Sequence, residues 1–383
     1  MKSEATKAAT LALADGTLFP GLSFGADGTV TGEVVFTTGM TGYQEVLTDP
    51  SFRGQIVTMT APHIGNTGIN SADPESTTAR PMAAGFVVRD PSPVVSNFRS
   101  EISLGDYLRR EGVVAIGGVD TRRLTRHLRD KGSQNGCIGT GNPHDLVDLA
   151  RQAPSMEGLD LVREVTPAAP YEFKETLEEW TPEVMGKPLV SASERFRVVA
   201  FDFGAKRNIF RCLTAAGCDV TAVPASTSAE AVLALAPDGI FLSSGPGDPA
   251  ALGYAVETVR SLLGKKPLFG ICLGHQLLGK ALGGSTYKLK FGHRGLNQPV
   301  KDTKTGRVEI TAQNHGFVVD VASLGNAAQS SHLHLNDGTS EGIEALEARA
   351  FSVQYHPEAA AGPHDAYYLF KRFTDLMRGQ TLA

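Results

Sequence analysis

The stretch Pro267-Leu268-Phe269-Gly270-Ile271-Cys272-Leu273-Gly274-His275-Gln276 decides how the chain folds. Residues 267–271 form a short apolar run of the kind that makes a buried strand, and the spacing beyond predicts a helix over 277–282. Between them stands Gly270-x-Cys272-x-Gly274, the thiol counterpart of the G-x-S-x-G nucleophile elbow. Small residues on both sides let the chain turn sharply from strand to helix. The cysteine is then presented at the turn, beside a helix N-terminus whose dipole favours thiolate over thiol.

Strand–helix alternation leads up to this turn. The pattern predicts strands at 198–203, 220–223 and 240–242, with helices at 206–216, 229–235 and 255–263. Repeated units of this kind imply a parallel sheet covered by helices. A last helix over 365–377 carries Ala366, Leu369, Phe370, Phe373, Leu376 and Met377 on one stripe, the spacing of a core-packing face. In an open α/β sheet ligands sit at the carboxyl ends of the strands, so the residues just after each strand are the ones that matter. After the alternating run 351–355 comes His356-Pro357-Glu358. A thiol nucleophile needs a base, and His356 supplies one at the end of a strand stopped by Pro357. Glu358 is close enough to fix its tautomer and stabilise its cation. Gly245-Pro246-Gly247 follows the strand at 240–242. Its backbone N–H groups, with the N–H of Leu273, are the expected oxyanion donors.

The first 150 residues differ in texture, with short apolar stretches such as Val34-Val35-Phe36 broken by Gly, Asp and Pro. A helix is expected over 104–110, a strand over 113–116, and a second helix over 122–129, capped by Asp120 or Thr121 and ended at Gly132. Arg122, Arg123, Arg126 and Arg129 on that helix read as a solvated basic face, the alternative being a surface for an acidic partner. Residues 153–194 are rich in proline, at 154, 167, 170, 182 and 188, and read as an irregular connector that packs on one of the domains. The expected organisation is a β-rich α+β domain (1–152), the connector (153–194), and an α/β domain (195–383) with an open, mainly parallel sheet flanked by helices.

Composition agrees. At 383 residues the chain is long enough for two domains, and 41% hydrophobic residues exclude disorder throughout. A net charge of -5 gives no electrostatic footprint for nucleic acid or an anionic membrane. Four cysteines exclude a disulfide scaffold and suit a reducing, cytoplasmic compartment. No apolar run approaches the ~20 residues needed to span a bilayer. Lys2, Lys7 and Ala12-Leu13-Ala14 have the outline of a short signal peptide. Glu4 and the turn at Asp15-Gly16-Thr17 favour a first β-strand instead.

Taken together, Gly270-Ile271-Cys272-Leu273-Gly274-His275-Gln276, Gly245-Pro246-Gly247-Asp248-Pro249 and His356-Pro357-Glu358 resemble the class I, triad-type glutamine amidotransferases over about 197–377. Phe201-Asp202-Phe203-Gly204-Ala205-Lys206-Arg207-Asn208 and Gln313-Asn314-His315-Gly316-Phe317 are similar to the small subunits of carbamoyl-phosphate synthetases within that class. The segments Thr38–Glu45, Leu47–Ser51, Pro62–Asn66 and Gly118–Arg122 resemble the first domain of those subunits, so the likeness spans nearly the whole chain. The resemblance implies that a Cys272–His356–Glu358 triad hydrolyses L-glutamine through a glutamyl thioester. It implies that Ser51, Gly245, Gly247, Leu273, Gln276, Asn314, Gly316 and Phe317 contact the glutamine, with the pocket near the domain interface. Ammonia would pass to a large subunit that makes carbamoyl phosphate from bicarbonate and ATP, for arginine or pyrimidine synthesis or both. ATP and Mg are expected in that large subunit, with no cofactor or metal in this chain, and the heterodimer can assemble further. Two departures stand out: Ser244 where the family commonly has Asn, and Gly295-Leu296-Asn297-Gln298-Pro299 in place of Gly-Gly-Asn-His-Pro.

Other motifs carry less. Gly274–Lys280 nearly matches a P-loop, but Ala281 replaces the Ser/Thr that would hold Mg²⁺ and the segment reads as helix. His332-x-His334 lacks a completing Cys, Asp or Glu at a metal-site spacing and reads as a solvated strand. Cys212 and Cys218 read as packing residues, and Cys137 is uninformative. Amidotransferases of anthranilate or GMP synthesis would carry different flanking architecture. A purely regulatory subunit would be expected to lack the nucleophile, which is present here.

Overall fold

The computed structural model describes residues 7–177 and 194–382. The chain forms two compact units, Met1–Glu157 with Lys290–Gly295, and Gly158–Leu289 with Leu296–Ala383.

The first unit contains β1 (Ala8–Leu13), β2 (Leu18–Ser23), β3 (Val30–Thr37), α1 (Tyr43–Thr48), β4 (Gln55–Met59), β5 (His63–Ile64), β6 (Gly85–Val87), β7 (Asp90–Pro91), α2 (Leu104–Arg110), β8 (Val114–Gly117), α3 (Thr121–Lys131), β9 (Gln134–Gly139) and α4 (Pro143–Gln152). Seven of the strands close into a barrel in the order β1-β2-β8-β6-β4-β3-β9, a more specific architecture than the expected α+β. Closure removes the unpaired edges that an open sheet would present. Period-2 alternation divides the barrel residues between two cores. Val34, Ile56, Val87 and Ile116 pack in one core with Leu124 and Leu128 of α3. Their neighbours Val35, Val57, Phe86 and Ala115 pack in the other with Leu47 of α1 and Leu108 of α2. The Asp120 carboxylate caps α3 by accepting from the Arg123 N–H. Arg122, Arg123, Arg126 and Arg129 are all exposed.

The second unit contains β10 (Tyr171–Phe173), β11 (Phe196–Asp202), α5 (Arg207–Ala215), β12 (Cys218–Pro224), α6 (Ala229–Ala234), β13 (Gly239–Leu242), α7 (Gly253–Leu262), β14 (Leu268–Ile271), α8 (Leu273–Ala281), β15 (Ser285–Asp302, except its residues Lys290–Gly295, which belong to the first unit), β16 (Val308–Asp320), β17 (Gln329–His334), β18 (Ser340–Ala345), β19 (Ala350–Val353) and α9 (Tyr368–Met377). Its strands form one ten-stranded sheet in the order β10-β12-β11-β13-β14-β19-β18-β17-β15-β16. The run β12-β11-β13-β14-β19 is parallel. β10, β17 and β18 pair antiparallel with their neighbours. Each parallel strand is apolar on both faces. Val198, Ala200, Phe241, Phe269 and Phe351 meet α5 and α9. Val199, Phe201, Ile240, Leu242 and Leu268 meet α6, α7 and α8. From β11 the chain passes first to β12 on one side and then to β13 on the other. That reversal is the topological switch point at which such sheets bind ligands.

Two expectations need correction. The Asn135 side chain donates to the carbonyls of Ala153 and Pro154, which holds the end of α4 to the first unit. Within the connector, Tyr171–Phe173 is an edge strand paired with β12; residues 178–193, with Pro182 and Pro188, lie outside the described residues, as do Lys2 and Glu4. His332 and His334 are buried rather than solvated, because β17 lies inside the ten-stranded sheet between β18 and β15. His332 meets the Tyr368 hydroxyl at 3.3 Å, and His334 meets Gln298 Oε1 at 3.1 Å. Cys212 and Cys218 are buried, as packing residues should be, and Cys137 is buried as well. Among the described residues no helix is long and apolar enough to cross a membrane.

Phe269 anchors the α5/α9 face. Its ring stacks on Phe351 at 4.4 Å and meets Phe241 edge-on at 5.3 Å, with Phe373 at 5.7 Å. Phe269→Ala is expected to destabilise the second unit by about 3–5 kcal/mol. The midpoint of denaturant unfolding, followed at unchanged slope, measures this.

Candidate active site

Cys272 sits between β14 and α8 with φ 55 and ψ -104, a backbone conformation rare for a residue with a side chain. The helix begins at Leu273, four residues earlier than the spacing predicts, so its N-terminus is immediately beside the thiol. The sharp turn depends on close backbone approach. A Cβ on Gly274 would lie 2.2 Å from the Leu242 carbonyl oxygen, and one on Gly270 would lie 2.8 Å from the backbone of Gly274. Only glycine fits at either place. The turn is held by Cys272 N–H to the Val353 carbonyl (2.9 Å) and Gly274 N–H to the Ser243 carbonyl (3.0 Å). Cys272 is 3% exposed, and its sulfur lies 3.7 Å from the Asn314 carbonyl oxygen.

His356 follows β19, which ends two residues sooner than the alternation suggests. β19 ends at Val353, and the chain is carried on by Gln354 N–H to Glu341 O (2.9 Å) and His356 N–H to Ala312 O (2.8 Å). Its Nδ1 is 2.7 Å from Glu358 Oε1. Its Nε2 has no hydrogen-bond partner among the described residues. Burial alone would push the imidazolium toward neutrality. The Glu358 charge and the Cys272 side chain outweigh that and hold the His356 pKa well above the ordinary histidine value. Burial likewise pushes the Glu358 carboxyl up, but Lys206 and His356 outweigh it and keep the carboxylate ionised well below the usual range.

Lys206 is the residue that sequence reasoning left without a role. Its Nζ is 3.1 Å from Glu358 Oε1 and donates to the Ala359 carbonyl, at 6% side-chain exposure. It follows the end of β11, so the rule that residues after strands carry function points to it. Asn208 Nδ2 donates to the Glu358 carbonyl at 2.7 Å and fixes the backbone there. The buried Lys206 cation and the His356 imidazolium both face the buried Glu358 carboxylate, the kind of pairing that desolvated charges require.

The remaining expected contacts of the second unit collect around this line. Asn314, Gly316 and Phe317 lie on β16, beside the cysteine. Gln276 Nε2 donates to the Phe317 carbonyl (2.8 Å) and to Gln354 Oε1 (3.1 Å), so its amide nitrogen secures β16. His315 braces the same segment through Phe317 O at 3.0 Å and Gln313 Oε1 at 3.1 Å. Gly245 lies next to Leu273, whose Cδ2 would be 2.8 Å from a Cβ there. Ser51 belongs to the first unit. Its N–H is held by the Asp49 carboxylate at 2.8 Å, and its buried hydroxyl has no hydrogen-bond partner among the described residues. The near P-loop at Gly274–Lys280 is part of α8, so it offers no phosphate-cradling loop.

Glu358→Gln removes the charge that sustains the His356 cation and leaves burial dominant. The His356 pKa is expected to fall below the ordinary value, as read by NMR of ¹⁵N-histidine-labelled protein. An unchanged titration would contradict the assigned pairing.

Residues 11–138 match the family described as carbamoyl-phosphate synthase small chain, CPSase domain, and residues 199–376 match glutamine amidotransferase class-I. The carbamoyl phosphate synthase small chain of Syntrophotalea carbinolica is 58% identical over 374 residues, covering 96% of this chain and 97% of that one. Those of Pseudomonas aeruginosa and Vibrio cholerae are each 53% identical, and in both cases 97% of this chain and 99% of the relative are covered. With barrel unit, cysteine elbow and near-complete alignment all in agreement, the chain belongs to the carbamoyl phosphate synthase small-chain family, its second unit being a class I glutamine amidotransferase domain.

Proposed function

We propose that this chain is the glutamine-hydrolysing subunit of a carbamoyl phosphate synthase and that Cys272, His356 and Glu358 perform the hydrolysis. The observation that carries the reading is the thiol held in a strained elbow opposite an imidazole whose far nitrogen is fixed 2.7 Å from a buried carboxylate. The Cys272 sulfur, its proton carried by His356, attacks the side-chain amide carbon of L-glutamine. Charge develops on the amide oxygen, and the N–H groups of Leu273 and Gly245 are the assigned donors to it. His356 gives its proton to the departing nitrogen, the C–N bond breaks, and ammonia leaves a glutamyl thioester. His356 then takes a proton from water as the water oxygen attacks the thioester carbon. Glutamate departs and the thiol is restored. Glu358 holds the imidazole in one tautomer throughout, and Lys206 keeps Glu358 ionised.

Ser51, Gly247, Gln276, Asn314, Gly316 and Phe317 are assigned to the glutamine. Gln276 acts through the β16 segment that it secures. Ammonia is consumed by a large subunit, the partner that a small chain implies, where bicarbonate and ATP with Mg give carbamoyl phosphate for arginine or pyrimidine synthesis. Ammonia is protonated in neutral water, so delivery is sheltered from solvent.

Cys272→Ser is expected to abolish glutamine hydrolysis while the complex with a large subunit still makes carbamoyl phosphate from added ammonia. Glutamate release and carbamoyl phosphate formation, assayed in parallel, check both halves. Glutamine hydrolysis at the wild-type rate in this variant would instead support a docking or regulatory subunit.

A further inference from the structure

The loop Gly245-Pro246-Gly247 needs something to hold its N–H groups in place, since two glycines give it little stiffness of its own. One side of it rests on the sheet. A Cβ on Gly245 would lie 2.3 Å from the Phe203 carbonyl oxygen and 2.8 Å from Leu273 Cδ2. The other side is covered by the segment just after the first unit. Gly247 has φ +89, and a Cβ there would lie 2.7 Å from the Leu159 carbonyl oxygen and 3.1 Å from the Leu161 nitrogen. Backbone therefore lies directly on backbone at this point, which closes the loop from above.

What fastens the two is Asp248, 7% exposed. Its Oδ2 accepts the Gly158 N–H at 2.9 Å, and its own N–H donates to the Leu159 carbonyl at 3.1 Å. Its Oδ1 accepts the Ala250 N–H at 2.8 Å, which starts the short helical turn at Pro249–Ala251. One carboxylate thus ties both ends of a clasp: the chain leaving the glycine loop, and the segment lying over it. Val162, a few residues on, is fully buried in the same core cluster as Leu242 and Leu273. The clasp is thereby anchored to the strand and helix that flank the loop.

We infer that Asp248 is a positioning residue for oxyanion stabilisation, holding residues 158–161 over the glycine loop so that the Gly245 N–H stays aimed at the reacting carbonyl. This rests on the assignment of that loop under the proposed glutaminase reaction. An oxyanion donor serves the attack on an amide and its breakdown. It has no part in simple alkylation of the thiol, where no oxygen gains charge. Asp248 is therefore expected to affect glutamine turnover and leave the reactivity of Cys272 alone, which a general loss of structure could not do.

The test uses the whole chain in complex with a large subunit, as wild type, Asp248→Ala and Asp248→Asn. Three quantities are measured: kcat and KM for glutamine hydrolysis, the rate at which iodoacetamide alkylates Cys272 (followed by peptide mapping), and the thermal unfolding midpoint. Deleting an oxyanion donor outright costs about 10²–10³ in kcat, so loosening one is expected to cost roughly 10–100-fold in Asp248→Ala. The loss falls mainly on kcat, and it is smaller in Asp248→Asn, which keeps one acceptor. Alkylation stays within about twofold of wild type. Wild-type turnover in a folded Asp248→Ala overturns the inference, as does alkylation that falls in parallel with turnover. If Asp248→Ala does not fold, Asp248→Asn decides on the same two readings. Failure of the wild-type complex to hydrolyse glutamine, seen in the same assay, would count against the glutaminase reading itself.

Discussion

The site depends on one steric constraint, the passage of the chain from β14 into α8 through Cys272 at φ 55. That turn exists only because nothing larger than hydrogen fits at Gly274 against the Leu242 carbonyl, or at Gly270 against Gly274. The strain is supported from three sides: Val353 on β19, Ser243 after β13, and the first turn of α8 packed in the core through Leu273 and Leu277. The parallel strands supply these anchors because their ends stand side by side at the same level of the sheet. A strained cysteine is thus a consequence of a rigid sheet, which holds the residue at the turn while leaving it only 3% exposed.

The second dependency is electrostatic. A buried histidine cannot remain a cation by itself, and a buried carboxylate cannot remain an anion. Here each makes the other possible, with Lys206 and His356 both meeting Glu358 Oε1. The three side chains come from segments far apart in sequence, after β11 and after β19, and are joined by the parallel order of the strands. The pairing with Glu358 fixes the orientation of the His356 ring within the folded chain. Such preorganisation lowers the reorganisation required during reaction.

Much of this was legible from residues alone. The apolar run before Cys272, the glycines around it and the proline after His356 each carry a local physical meaning, so the elbow and the His356–Glu358 pair could be read without contacts. The parallel strands were legible because both of their faces are apolar. The antiparallel half was not. Residues 285–345 mix charged and apolar side chains in long strands, and β17 looks solvated until its neighbours on either side are known. That is why His332 and His334 were expected in solvent. Lys206 and Asp248 escaped for a related reason. Each is an ordinary charged residue after a strand, and its role comes from a partner more than 80 positions away, Glu358 in one case and the Gly158 N–H in the other. The edge strand Tyr171–Phe173 was hidden by the prolines around it, which suggest a loop and say nothing about a free sheet edge nearby.

The claim on which the account turns is that the elbow thiol forms a covalent bond to the glutamyl group. Rapid acid quenching of the wild-type chain with its large subunit during glutamine turnover, followed by peptide mass spectrometry, tests it directly. The account predicts a glutamyl adduct on the peptide carrying Cys272, appearing before steady state and disappearing as glutamine runs out. Steady glutamate production with no adduct at Cys272, or with the adduct on Cys137, Cys212 or Cys218 instead, would contradict it.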